Sequence, residues 1–116
     1  MPGSIFVLCE KTHVACELVT RIARAGYDVI FAAHAHEAFR HLRQLDFAAA
    51  VIAWQVGADN VVAELDDYMV PYFMFGMPAS GAAAIPGQPL VVTDLNIVVP
   101  TLVNLLSAFA GVWKGQ

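Results

Sequence analysis

The feature that most constrains this chain is a rhythm: short, mostly apolar runs alternate with segments patterned at helical spacing. A strand covered on both faces has no polar side to show, so such runs mark a parallel sheet sandwiched between helices. Ser4 to Cys9 (SIFVLC) is the first run. His13 to Ala25 follows with Val14, Leu18, Ile22 and Ala25 on one helical face, and Gly26 stands where a left-handed cap is wanted. Tyr27 to Ala32 (YDVIFA) reads as the second strand. The helix after it, from about His36 to Gln44, turns Ala38, Phe39 and Leu42 inward and Arg40, His41 and Arg43 outward. Ala49 to Trp54 (AAVIAW) is another continuous apolar run, ended by Gly57; Val61 to Tyr68 makes a short acidic helix, and Pro71 to Phe75 (PYFMF) a fourth strand.

Beyond that point the pattern thins. Gly76 to Pro89 contains Pro78, Gly81, Pro86, Gly87 and Pro89, too many breakers for more than a turn around Ala82 to Ala84. Leu90 to Thr93 is the fifth strand. Asn96 to Val112 closes the chain as a helix whose regular part is expected to begin only at Pro100. Five such units in 116 residues imply an α/β fold of the flavodoxin-like (βα)5 type, a three-layer sandwich with sheet order 2-1-3-4-5 and a shortened fourth helix. The length suffices for one core, so residues 1–116 are expected to form a single domain.

Charge narrows the function classes. The net charge of −4 leaves no basic stripe with which to neutralise phosphates, which argues against a nucleic-acid partner. Five of the six basic residues (Lys11, Arg21, Arg24, Arg40, Arg43) lie within the first 43 positions, and Asp94 is the only charge from Tyr68 through Trp113. The first half is therefore an ordinary solvated surface, whereas the second half is built to be covered. Leu95 to Trp113 lacks charge, but Asn96, Pro100, Thr101, Asn104, Ser107 and Gly111 interrupt it, so no membrane span is expected. Two cysteines, Cys9 and Cys16, with no signal peptide ahead of them imply buried, inert, reduced thiols in a cytoplasmic protein.

Candidate metal or cofactor sites are weak. His34 and His36 bracket the start of the second helix and His41 points to solvent, so these histidines with Glu37 read as surface residues and no metal is expected. His13 reads as a loop histidine after the first strand. Gly57 and Gly81 form no phosphate-cradling loop, and no cofactor is expected.

From about Ile5 to Phe109 the chain resembles the response-regulator receiver family. Gly26-Tyr27-Asp28-Val29 with Ala32-Ala33-His34-Ala35-His36-Glu37-Ala38 is similar to the receiver stretch "GYEV…AADGEEA". Phe47 to Ala53 (FAAAVIA) resembles "YDLVLLD", Val70 to Gly76 (VPYFMFG) resembles "IPVIFLTG", and Gln88 to Asn96 sits where receivers have "APVLRKPFD". The resemblance implies a phosphoryl-accepting site at the carboxyl end of the sheet, built from an aspartate and a Mg²⁺ ion. Here the acceptor position falls on Ala53, and the acidic pair on Cys9 and Glu10. The hydroxyl position falls on Gly76, the lysine position on Thr93, and the aromatic switch position on Leu90. An alanine methyl is no nucleophile, and one carboxylate holds Mg²⁺ poorly. The chain is thus identified as a degenerate member, a pseudo-receiver, with Trp54 expected to fill part of the vacated pocket in a shortened loop.

The last helix carries the remaining signal. Leu102, Leu105, Leu106, Phe109 and Trp113 form the stripe expected to pack on the sheet. Val99, Val103 and Ala110 lie off that stripe and, with Leu90, mark the face of the fourth helix, fifth strand and last helix that receivers use for dimerisation and partner contact. The resemblance therefore implies a stand-alone two-component signalling module with no attached output domain, acting without phosphorylation. Its partner would be a histidine kinase, a receiver, an output protein or a second copy. The alternatives are a small-ligand, metal or enzymatic site made from Glu10, His13 and Cys9 in the inherited cleft, or a membrane-surface binder using the apolar half.

Overall fold

The computed structural model describes residues 4–77 and 89–114, with side chains as far as Ala108. Five strands form one parallel sheet in the order β2-β1-β3-β4-β5. They are β1 (Ser4–Leu8), β2 (Val29–Ala32), β3 (Phe47–Ala53), β4 (Tyr72–Phe75) and β5 (Val91–Val92). Helices α1 (Thr12–Arg24), α2 (Ala35–Gln44), α3 (Ala58–Asp67) and α4 (Val98–Lys114) flank it, and a 3-10 turn (Leu95–Ile97) leads into the last. This is the flavodoxin-like fold anticipated from the apolar rhythm.

The alternation of side chains along each strand builds two cores. Phe6 and Leu8 of β1, with Ala50 and Ile52 of β3, pack under α2 and α3 through Ala38, Leu42, Val61, Val62 and Leu65. Ile5 and Val7, with Ala49 and Val51, face α1 and α4 through Ala15, Leu18, Ile22, Val98 and Leu102. Covering both faces explains why every residue of β1 after Ser4, and every residue of β3, is apolar. Each fully buried large aliphatic or aromatic side chain stabilises by roughly 1.5–3 kcal/mol.

Polar interactions at the surface hold helices in place. Arg43 of α2 lies 3.3 Å from the Glu64 carboxylate of α3 and its guanidinium stands 5.7 Å from the centre of the Phe39 ring, so one side chain bridges the two helices on that face. Arg21 of α1 pairs with Glu17 at 3.5 Å and donates to Asn96 Oδ1 at 3.1 Å, tying α1 to the 3-10 turn.

Several expectations need correction. The last helix begins at Val98 and not at Pro100. As the third helical residue, Pro100 sits where an amide N–H has no intrahelical partner, so its missing donor costs nothing. His13 is the second residue of α1, not a loop residue. His41 is half-buried, its ring 6.5 Å from that of Phe6, because the second helix rolls that side toward β1. Cys16 is exposed, while Ala15 takes the buried position beside it. Ala25 is exposed as the cap of α1. The shortened fourth helix, the turn at Ala82 to Ala84, and the side chains of Phe109, Ala110 and Trp113 lie outside the described residues.

Two glycines close turns with positive φ for different reasons. Gly26 (φ 100°) ends α1 with open space where a Cβ would stand, whereas at Gly57 (φ 83°), which precedes α3, a Cβ would meet Ala35 Cβ at 2.7 Å. Gly26→Ala is therefore expected to cost about 1 kcal/mol from backbone strain alone. Gly57→Ala should cost more, roughly 2–3 kcal/mol, as strain and a steric clash add. Urea unfolding of the two variants beside the parent checks both the order and the gap.

Candidate functional site

A cleft of about 120 Å³ opens where the fold leaves strand ends unpaired, at the carboxyl edge of β1, β3 and β4. The turn from β1 to α1 supplies Cys9, Glu10 and Lys11. The end of β3 supplies Ala53, followed by Trp54 and Gln55, and the end of β4 supplies Phe75, Gly76 and Met77. Among the described residues, Glu10 is the only carboxylate in this lining and Lys11 the only cation. Four of the five positions singled out in the sequence, Cys9, Glu10, Ala53 and Gly76, are thus brought around one opening. Thr93, which follows β5, is exposed and does not line it. His13 is exposed and also outside the lining, so Glu10, His13 and Cys9 do not converge in the cleft.

Chemically the opening is sparse. Ala53 presents a methyl group at the end of β3. Cys9 is 2% exposed, its thiol donates to the Lys11 carbonyl at 3.6 Å, and burial raises its pKa above the ordinary thiol range. A buried neutral thiol is a poor nucleophile. Among the described residues no three His, Cys, Asp or Glu side chains converge as metal ligands. His34 and His36 stack with ring centres 6.1 Å apart at the start of α2.

Trp54 lies along the cleft wall, and its indole N–H donates to the Gly76 carbonyl at 3.0 Å. The Gln55 side chain makes two hydrogen bonds: Oε1 accepts from the Glu10 amide at 2.8 Å and Nε2 donates to the Ala33 carbonyl at 2.8 Å. Nothing in a lone loop glutamine signals this, since its partners lie 45 and 22 residues away.

The surface expected from the resemblance lies on the far side of the sheet from β2. Leu90 is 55% exposed just before β5 and Val103 is 42% exposed on α4, with Val91 and Ile97 exposed between them. Val99 is half-buried against the body of the protein. Among the described residues no helix is long and apolar enough to cross a membrane.

No protein-family model matches the chain, and no curated protein matches it. Solved structures do. A CheY-like response regulator receiver domain protein of Methanospirillum hungatei JF-1 superposes with a TM-score of 0.76 at 14% identity, over 93% of this chain and 96% of that one. Chemotaxis protein CheY4 of Vibrio cholerae gives 0.74 at 14% identity, over 90% and 99%. Response regulator TrrA of Thermotoga maritima, in complex with Mg²⁺-BeF, gives 0.68 at 14% identity, over 90% and 98%. At such identity the likeness is one of fold: the chain has the architecture of a receiver from end to end of those domains.

Because the native pKa of Cys9 is raised, folding favours the protonated thiol. That contribution is complete below the unfolded-state thiol pKa and is lost as pH rises through the native one. Denaturant midpoints should therefore fall as pH climbs through and beyond the ordinary thiol range, and Cys9→Ala should flatten that decline. An equal decline in the variant would assign it to other groups, such as Tyr72, whose pKa burial also raises.

Proposed function

We propose that this chain is a degenerate receiver, a signalling module of two-component type that works by protein contact without being phosphorylated. The observation that carries the reading is Ala53: in a receiver fold, the end of β3 bears a methyl group, and among the described residues the surrounding cleft offers one carboxylate. Phosphoryl transfer to such a domain needs a nucleophile and a cation held by several hard oxygens. Glu10 supplies one oxygen group, Gly76 offers no hydroxyl and Thr93 no ammonium. Leu90, at the switch position, has no ring to swing inward. The whole chain acts as one receiver-like unit, and its compartment is the cytoplasm.

Contact then runs through the face that includes β5 and α4. Leu90 and Val103 support this, as does Asp94 being the only charge between Tyr68 and Trp113. Val99, which is half-buried, and Ala110, whose side chain lies outside the described residues, are also assigned to this surface. A second copy, a histidine kinase, a receiver or an output protein fits an apolar face of this kind.

Two measurements test the reading. Beryllofluoride or acetyl phosphate with Mg²⁺ is expected to leave the amide NMR spectrum unchanged; saturable shifts centred on Ala53, Cys9 and Gly76 would overturn phosphorylation independence. Light scattering should give twice the 12.5 kDa chain mass for a homodimer, and Val103→Asp should weaken it by about tenfold or more. A parent that stays monomeric at high concentration rules out the second copy as partner.

A further inference from the structure

Three side-chain hydrogen bonds at the cleft share one feature: each runs from the loop after β3 to the end of another strand. In sheet order the strands are β2, β1, β3 and β4. Their last residues are Ala32, Leu8, Ala53 and Phe75, and the groups concerned lie one or two residues beyond each. Gln55, just past β3, accepts from the Glu10 amide past β1 and donates to the Ala33 carbonyl past β2, both at 2.8 Å. Trp54 donates to the Gly76 carbonyl past β4 at 3.0 Å. These amides and carbonyls have run off the end of the ladder, where no strand partner remains to satisfy them.

We propose that Trp54 and Gln55 form a clasp that holds the carboxyl ends of β2, β1, β3 and β4 in one arrangement, so that the cleft end of the sheet is a fixed surface and not a switching one. The loop that carries both residues is short, only Trp54 to Gly57 between β3 and α3. Gly57 presses it against the start of α2, where a Cβ would stand 2.7 Å from that of Ala35. That close approach keeps Gln55 within reach of Ala33, two residues before Ala35. Trp54 and Gln55 are adjacent, so movement of any one strand end must break a bond that the same loop shares with the others. A two-state switch needs these loops to move relative to one another; the clasp opposes that motion and needs no ion or phosphate.

The clasp rests on hydrogen-bond geometry and not on the loss of phosphorylation, and the two readings fail separately. The full chain, labelled with ¹⁵N, is observed by NMR. In the parent, the Glu10 amide and the Trp54 indole N–H should exchange slowly with solvent, and relaxation dispersion should be flat at residues 10, 33, 55 and 76. Gln55→Met, which keeps length but loses both bonds, should speed Glu10 exchange by roughly three- to tenfold, the worth of one net hydrogen bond. It should also introduce dispersion at Ala33. Trp54→Phe should do the same at Gly76 while retaining the ring. Fast exchange at Glu10 and the indole in the parent, or microsecond-to-millisecond exchange already present at all four ends, overturns the clasp without recourse to a variant. An unchanged Glu10 rate in a folded Gln55→Met protein overturns it as well. Beryllofluoride shifts in a parent whose Glu10 amide stays protected would instead defeat phosphorylation independence and leave the clasp intact.

Discussion

Burial of β1 on both faces governs the rest of the molecule. Ile5, Phe6, Val7 and Leu8 are all inaccessible to water, and successive residues point into opposite cores. Neither core closes without helices on its side of the sheet, so the order of strands and the placing of α1 with α4, and of α2 with α3, follow from one strand having no solvent side. The neighbouring β3 repeats the condition with smaller residues. Ala49 and Ala50 there let helices approach closely, while Phe6 and Phe73 supply the bulk.

A sheet satisfied in this way confines polar chemistry to its ends. At the carboxyl end, the turns after β1, β3 and β4 meet, and what they contribute decides what the fold can do. Among the described residues they contribute a methyl group, a buried thiol, one carboxylate, one ammonium, a carboxamide and an indole. Hydrogen-bonding capacity at this end goes into joining backbone segments to one another. The same architecture that elsewhere presents reactive groups to a ligand presents to solvent a surface already occupied with itself.

The sequence made the sheet legible because its information is local. SIFVLC and AAVIAW are strand-length apolar runs, and β1 and β3 appear within two residues of them at each end. Helix faces were legible where apolar spacing is regular, as in Leu18 and Ile22 or Ala38 and Leu42. The usual habit of a residue misleads at single positions. Pro100 suits a helix start, but the third position tolerates it equally well. Cys16 is exposed and His41 half-buried because the rotation from one helical residue to the next decides which side each one takes. Of the cleft, the positions Cys9, Glu10, Ala53 and Gly76 were legible through a family pattern. Gln55 was not, since its partners come from two other strand ends and only the fold brings them near.

The ladder of β5 is two residues long, Val91 and Val92, at one border of the sheet. In a chain that is 59% hydrophobic, a long bare border strand would act as a template on which other chains could add strands and grow into aggregates. Two residues offer too little backbone to nucleate such growth, and β2, the opposite border, is only four residues long. The brevity of both borders thus protects the protein during synthesis and at high concentration. It allows an apolar face on α4 to persist without the sheet beside it becoming a seed for fibres.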